Sequence, residues 1–377
     1  MIDKYGREIT YLRISVTDRC NFRCVYCMPE EGVPPKPHAS ILRYEEITRI
    51  ARLAISLGIR SIRVTGGEPL VRKGLGGLVA ALNGLRSLGL RDLSMTTNAS
   101  LLAPVAGDLK AAGLDRVNIS LDTLRSDRFR SVTRGGDLTA VLEGAGAALA
   151  AGLWPVKMNV VVTRDNIDEV QDFALFGMMT GLVVRFIELM PLGCAGSIQP
   201  ASFVDTAEMM ERLEPDGGVA EVMGVGPGSG PARYHTWPLR SGLEPSAHAA
   251  GAIHTVRDAC GGRPVGGRPG APAGGQAGAP VGGQGMAITT PDKALVGFIT
   301  SVSRHSCPGC NRLRLTADGR IAPCLWSSDE IDLGAAMRAG ASDAELTRVI
   351  GAAVMAKPLE CGASRDVSKR RMSRLGG

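Results

Sequence analysis

Six of the nine cysteines fall into two triads, and the first is compact: Cys20-Asn-Phe-Arg-Cys24-Val-Tyr-Cys27. Three thiolates on one short loop can bind three corners of a four-iron cluster and leave the fourth iron without a protein ligand. Such an open iron can chelate a substrate, much as an open zinc position does. Zinc itself, with a fourth ligand from His38 or elsewhere, is the competing reading, since soft thiolates suit both metals. The second triad is Cys307-Pro-Gly-Cys310 followed by Cys324, a C-x2-C-x13-C pattern. Alone it reads as a zinc site short of one ligand, with His305 available. Beside it lies Asn311-Arg312-Leu313-Arg314. Arginines at alternate strand positions face the same side, and their forked donors suit phosphate, so an anion binder competes with the zinc ribbon.

A third motif is Thr65-Gly66-Gly67-Glu68-Pro69. Two glycines let the backbone approach a ligand closely, and the adjacent carboxylate can receive an ammonium group. A plain tight turn between strand and helix would give the same pattern.

Elements that could carry these motifs alternate through the first 215 residues. Strands are predicted at Tyr11–Val16, Arg60–Thr65, Asp92–Thr97, Arg116–Leu121, Trp154–Thr163 and Leu182–Leu189. Amphipathic helices are predicted at Tyr44–Leu57, Leu75–Leu88, Leu101–Ala112, Leu138–Ala151, Ile167–Thr180 and Phe203–Leu213. Six β-then-α units imply an α/β fold with a parallel sheet covered by helices. They are too few for a closed eight-stranded barrel, which favours a partial (βα)6 barrel over a doubly wound sheet. Either way, chemistry belongs at the carboxyl ends of the strands.

The expected division is a barrel over 1–215 and a second region over 216–377, interrupted by a disordered insertion at about 241–290. Its core is Gly261–Gly285, where 15 of 25 residues are Gly or Pro, too little apolar surface to offset ordering entropy. Beyond it, a strand is predicted at Ala294–Ser303, then a hairpin of Leu313–Thr316 and Arg320–Pro323 turning at Asp318-Gly319. The helical pattern Leu333–Lys357 follows.

Bulk composition excludes some classes. Aromatics at 4% are too scarce for base-stacking platforms, and a net charge of +6 is dispersed rather than patched, so nucleic acid is not the expected partner. There is no run of 18 apolar residues and no hydrophobic signal core at Met1-Ile2-Asp3-Lys4, so no membrane is expected and the compartment is expected to be cytoplasmic. Cysteines kept reduced there are ligands, nucleophiles or buried thiols.

The CxxxCxxC loop with Tyr26 before its last cysteine, joined to Gly-Gly-Glu-Pro, resembles the radical S-adenosylmethionine superfamily. The resemblance implies that the open iron chelates S-adenosylmethionine, whose reductive cleavage yields a 5′-deoxyadenosyl radical. It also implies that Tyr26, Gly67, Ser120 and Met190 are further contacts of that cofactor. From the residues alone, Ser120 and Met190 are strand packing.

The two triads together, with Cys-Asn-Arg-Leu-Arg-Leu after the second, resemble the GTP 3′,8-cyclase family, which opens molybdenum-cofactor biosynthesis. The match runs from Arg7 to Gly377 and takes in Leu12-Arg-Ile-Ser-Val-Thr-Asp-Arg-Cys20, Ile62 to Leu70, Thr96-Thr-Asn98 and the Arg185-Phe-Ile-Glu188 strand. It implies a second [4Fe–4S] cluster on Cys307, Cys310 and Cys324 that contacts guanine. It further implies GTP binding by Arg13, Arg63, Thr96, Lys157, Arg312, Leu313 and Arg314, with Arg185 an additional candidate. Gly376 and Gly377 would enter the active site. The implied product is (8S)-3′,8-cyclo-7,8-dihydroguanosine 5′-triphosphate. The implied partners are a reducing electron donor and, downstream, cyclic pyranopterin monophosphate synthase; a homodimer is allowed. Ala99 stands where glycine is usual, and Cys194, Cys260 and Cys361 match no ligand position.

Overall fold

Alternation within short strands sets the architecture. In β1 (Tyr11–Ser15), Leu12 and Ile14 face a helical layer, while Tyr11, Arg13 and Ser15 face the other way. The same period of two recurs in β2 (Ser61–Thr65), β3 (Asp92–Thr97), β4 (Arg116–Ser120), β5 (Lys157–Val162) and β6 (Val183–Glu188). Parallel strands buried on both faces are ordinarily apolar throughout. Arg, Lys, Asn, Ser and Thr on one face therefore mark that face as the lining of a ligand chamber.

The computed structural model describes residues 1–34, 36–213, 220–221, 231–238, 243–261, 293–327 and 329–360. Further strands are β7 (Ala220–Glu221), β8 (Arg233–Pro238), β9 (Lys293–Ile299), β10 (Arg312–Leu315), β11 (Arg320–Ala322) and β12 (Ile331–Asp332). All join one unclosed sheet of order β12-β11-β10-β1-β2-β3-β4-β5-β6-β9-β8-β7. The expected six parallel strands are present, and β10 and β9 pair parallel to β1 and β6. The C-terminal region thus extends the sheet at both of its edges.

The helices are α1 (Tyr44–Ser56), α2 (Leu75–Asn83), α3 (Ala106–Ala111), α4 (Ser126–Thr133), α5 (Leu138–Ala150), α6 (Val170–Thr180), α7 (Ala195–Ser202), α8 (Thr206–Leu213), α9 (Ala247–Ala259), α10 (Leu333–Arg338) and α11 (Asp343–Met355). None of the described helices is long and apolar enough to cross a membrane. The single helical pattern over 333–357 is two helices, because Gly340 turns with φ 89° and Ser342 with Glu345 forms a capping box that starts α11.

Part of the stretch at about 241–290, expected to be a disordered insertion, is ordered. Residues 247–259 are helical, capped by Ser246 and burying Ala249, Ala252, Ile253 and Val256. The close approach of α9 to α5 requires Gly146, where a Cβ would stand 2.5 Å from that of Ala259. Residues 262–292 lie outside the described ones.

Candidate functional site

The first cysteine loop leaves β1 and meets β2, β3, β4, β5 and β6 in a cavity of roughly 1180 Å³, open mouth included. Cys20, Cys24, Cys27, Tyr26, Gly67, Ser120 and Met190 all line it. Gly67 is obligatory, since a Cβ there would lie 2.3 Å from the backbone oxygen of Arg19. Three fully or nearly buried carboxylates hold this mouth together. Glu68 accepts from Thr97 Oγ1 at 2.8 Å, Asn98 N at 2.6 Å and Leu70 N at 3.0 Å, fastening β2 to β3. Asp122 accepts from the Tyr26 hydroxyl at 2.5 Å and Val161 N at 2.8 Å, fastening the cysteine loop to β4 and β5. Glu188 accepts from Thr206, Val302 N and Ser303, fastening β6 to the loop between β9 and the second triad. Burial raises Glu68 to about 7 and Asp122 to about 6.

The expectation that Glu68 receives an ammonium group is corrected here. Its carboxylate is 0% exposed, does not line the cavity, and is spent on the turn at Thr97–Asn98.

The second cavity, roughly 1360 Å³ with its mouth, is lined by Cys307, Cys310 and Cys324 together with Arg13, Arg63, Thr96, Lys157, Arg185, Arg312 and Arg314. The arginines stack by register, since Arg13 pairs with both Arg63 and Arg314. Leu313 is the exception to the expected set. It is 1% exposed in the apolar core on the opposite face of β10 and does not reach the cavity, as the period of two demands. Burial pushes the crowded cations down: Arg63 and Arg314 to about 10, and Lys157 to about 5, where Arg185, Arg116 and Arg63 add repulsion.

Two cations reach across the chain to fix the second triad. Arg7 is held by Asp3 and donates to Cys307 O at 2.9 Å, Leu359 O at 3.1 Å and Pro358 O at 2.6 Å. Lys357, 2% exposed, donates to Arg312 O at 2.8 Å and Pro323 O at 2.9 Å.

The two cavities share a wall made of Thr96, Asn159, Ile187 and Met190. The Thr96 hydroxyl is buried there with no hydrogen-bond partner among the described residues. A ligand atom would satisfy it.

The donor sets fit iron–sulfur clusters. No disulfide joins any two of the eight described cysteines. Burial, then repulsion from Cys27, pushes the Cys24 thiol well up, so three thiolates there need the positive charge of a metal centre. Among the described residues no three His, Cys, Asp or Glu side chains converge on a single-ion position. A cluster asks for something different, one thiolate at each of separate irons. His38 does not line the first cavity, whereas His305 lines the second and packs edge-on against Trp326.

Gly376, Gly377 and Cys361 lie outside the described residues. Cys194 and Cys260 line neither cavity. Sequence reasoning missed Asn159, Asp122, Arg7 and Lys357 as site residues. Asn159 carried a signal, a polar residue two positions from Lys157 on the same strand face. Arg7 and Lys357 carried none, because their roles depend on contacts between distant parts of the chain.

Two cysteine triads at the open mouth of a parallel βα sheet define a radical S-adenosylmethionine protein, and residues 14–177 match the Radical SAM superfamily. Residues 276–362 match the family described as Molybdenum Cofactor Synthesis C. GTP 3′,8-cyclase of Heliobacterium modesticaldum is 44% identical over 382 residues, covering 100% of both chains. The enzymes of that name from Pelotomaculum thermopropionicum and Moorella thermoacetica are also 44% identical, again covering 100% of each chain. The chain belongs to the GTP 3′,8-cyclase family.

Proposed function

We propose that this chain converts GTP into (8S)-3′,8-cyclo-7,8-dihydroguanosine 5′-triphosphate in the first step of molybdenum-cofactor biosynthesis. The observation that carries the reading is the shared wall: a thiol-bearing cavity with a glycine floor meets a thiol-bearing cavity full of cations. Cys20, Cys24 and Cys27 would hold one [4Fe–4S] cluster, with S-adenosylmethionine against Tyr26, Gly67, Ser120 and Met190. Cys307, Cys310 and Cys324 would hold the other beside guanine. When bound, the first cluster and S-adenosylmethionine supply the 5′-deoxyadenosyl radical that takes the ribose 3′ hydrogen, so that C3′ can bond to guanine C8.

The rest belongs to the chain's own residues. Arg13, Arg63, Lys157, Arg312 and Arg314 face a triphosphate of about four negative charges with charge-assisted donors. Thr96 offers its hydroxyl at the wall where the two ligands meet. Enclosure between the two cavities excludes water from a reactive intermediate. The barrel over 1–215 serves the cofactor and lends Arg13, Arg63, Thr96 and Lys157 to GTP, the region 216–377 serves the second cluster and adds Arg312 and Arg314, and Gly376-Gly377 completes the site. Removing those two glycines should block product formation while both clusters and GTP binding survive. A reducing electron donor, cyclic pyranopterin monophosphate synthase as consumer of the product, and a cytoplasmic setting complete the proposal.

Anaerobic reconstitution followed by iron and sulfide analysis tests the cluster assignment. About eight irons per chain are expected, falling to about four in Cys310→Ser with S-adenosylmethionine cleavage retained. One zinc per chain and no iron would overturn it.

A further inference from the structure

The cation-rich cavity poses a problem of orientation. A guanidinium can bind phosphate with its forked donors only if its plane is held, and proteins commonly hold it with a carboxylate. A carboxylate would also cancel the charge that the ligand is meant to meet. Eight Arg and Lys side chains line this cavity, and the one carboxylate among its described lining residues is Glu360. Arg116, deeper in the barrel, is held by Asp92 at 2.8 and 2.7 Å and does not line the cavity.

Arg63 and Arg185 do line it, and among the described residues neither forms an ion pair with a carboxylate. Their partners are neutral. Arg185 Nη2 donates to Asn159 Oδ1 at 2.5 Å. One orientation of the Asn118 amide satisfies the donors facing it, and in that orientation its oxygen accepts from Arg185 Nη2 at 2.6 Å and from Arg63 Nη1. Arg63 Nε donates to Ser94 Oγ at 3.1 Å. Register makes this possible, because Asn159 pairs directly with Arg185 across β5 and β6, while Asn118 sits on the neighbouring strand β4. Asn118 and Asn159 are 1% exposed and half-buried respectively, so neither is a solvated surface amide.

We propose that Asn118 and Asn159 are positioning residues that hold Arg63 and Arg185 in place with uncharged acceptors, and thereby make the cavity select ligands by their number of phosphates. The inference deepens the proposed function and rests on GTP being the occupant of this cavity. The amide is the one side chain that accepts a hydrogen bond with the geometry of a carboxylate and adds no negative charge. Asparagine and aspartate are nearly the same shape, so changing one to the other alters the charge and little else. The new carboxylate would stay ionised beside its guanidinium, because an opposite charge favours the charged form.

The test is equilibrium binding of guanosine, GMP, GDP and GTP to anaerobically reconstituted wild-type protein, Asn159→Asp and Asn118→Asp. Iron content and S-adenosylmethionine binding are measured alongside. Guanosine affinity should be unchanged within about twofold, whereas the loss should grow with each phosphate and reach at least about tenfold for GTP. The dependence of GTP binding on salt should also weaken in the variants. A merely structural role would weaken all four ligands alike, and that outcome, or wild-type GTP affinity in both variants, would overturn the proposal. If one variant loses its iron, the other carries the test; if both do, Asn159→Ala, which removes the acceptor without adding charge, should weaken GTP less than tenfold and keep the phosphate trend shallow. Wild-type protein that binds no guanine nucleotide at all would refute the proposed function itself and not the role of the amides.

Discussion

The two cavities are built on opposite electrostatic plans. Around the first, buried carboxylates do the fastening: Glu68, Asp122 and Glu188 each bind the backbone of a neighbouring segment, and the cysteine loop sits directly beyond its own strand. Around the second, cations do the fastening, and they span the chain, with Arg7 and Lys357 holding carbonyls of the Cys307 and Pro323 segments. Apart from the reach of Glu188 to Val302 and Ser303, the acid-buttressed cavity is assembled from neighbouring βα units. The cationic one needs residues from near both ends of the described chain. Under the proposed assignment, this contrast lets one sheet keep a sulfonium cofactor and a polyanion apart while they share a wall.

The largest expected effect breaks one side only. Cys24→Ser should abolish 5′-deoxyadenosine formation and leave about half the wild-type iron, because the second triad keeps its own ligands. Loss of all iron would show that the two cavities are not separable.

Next comes the long-range fastening. Lys357→Met strips one buried and one part-buried carbonyl of their donor and should lower stability by about 3 kcal/mol, read from the shift in a denaturant midpoint. Iron at the second triad should fall while S-adenosylmethionine cleavage persists. An equal loss at both triads would erase the proposed contrast.

A smaller, pH-dependent effect sharpens it. Lys157 titrates near 5 because burial and neighbouring cations oppose its charge, so near neutral pH it is uncharged before a ligand arrives. A polyanion favours the charged form, so the complex holds more protons than the free protein. GTP binding should therefore take up a proton and tighten as pH falls from about 8 toward about 6. Calorimetry in buffers of different ionisation enthalpy reads this directly, and Lys157→Met should remove the uptake.

The smallest effect is expected from deleting residues 262–285, which hold no ligand-type side chain and should leave iron content and turnover nearly unchanged. A marked loss of turnover with intact clusters would place that segment in the site.

How much of this was legible beforehand follows from range. The six strands were readable because period-two alternation is local, and the sheet places them within a few residues of expectation. The triads were readable because each is nearly contiguous. Helix α9 was missed because its alanines signal little alone and become a core only against α5 and α6. Glu68 was misread because a motif names a carboxylate without saying which way the turn points it. Leu313 was carried along by its arginine neighbours, although the same alternation that unites Arg312 and Arg314 sends it to the other face. Arg7 and Lys357 had no local pattern at all.

The central claim is that one ligand is cleaved in the acid-buttressed cavity and the other rebuilt in the cationic one, across a common wall. Anaerobic incubation of the reconstituted protein with S-adenosylmethionine, a reductant and GTP deuterated at ribose C3′ tests it most directly. The account predicts deuterium in 5′-deoxyadenosine and formation of the 3′,8-cyclised triphosphate. Abundant 5′-deoxyadenosine without deuterium, and no cyclised nucleotide, would contradict it.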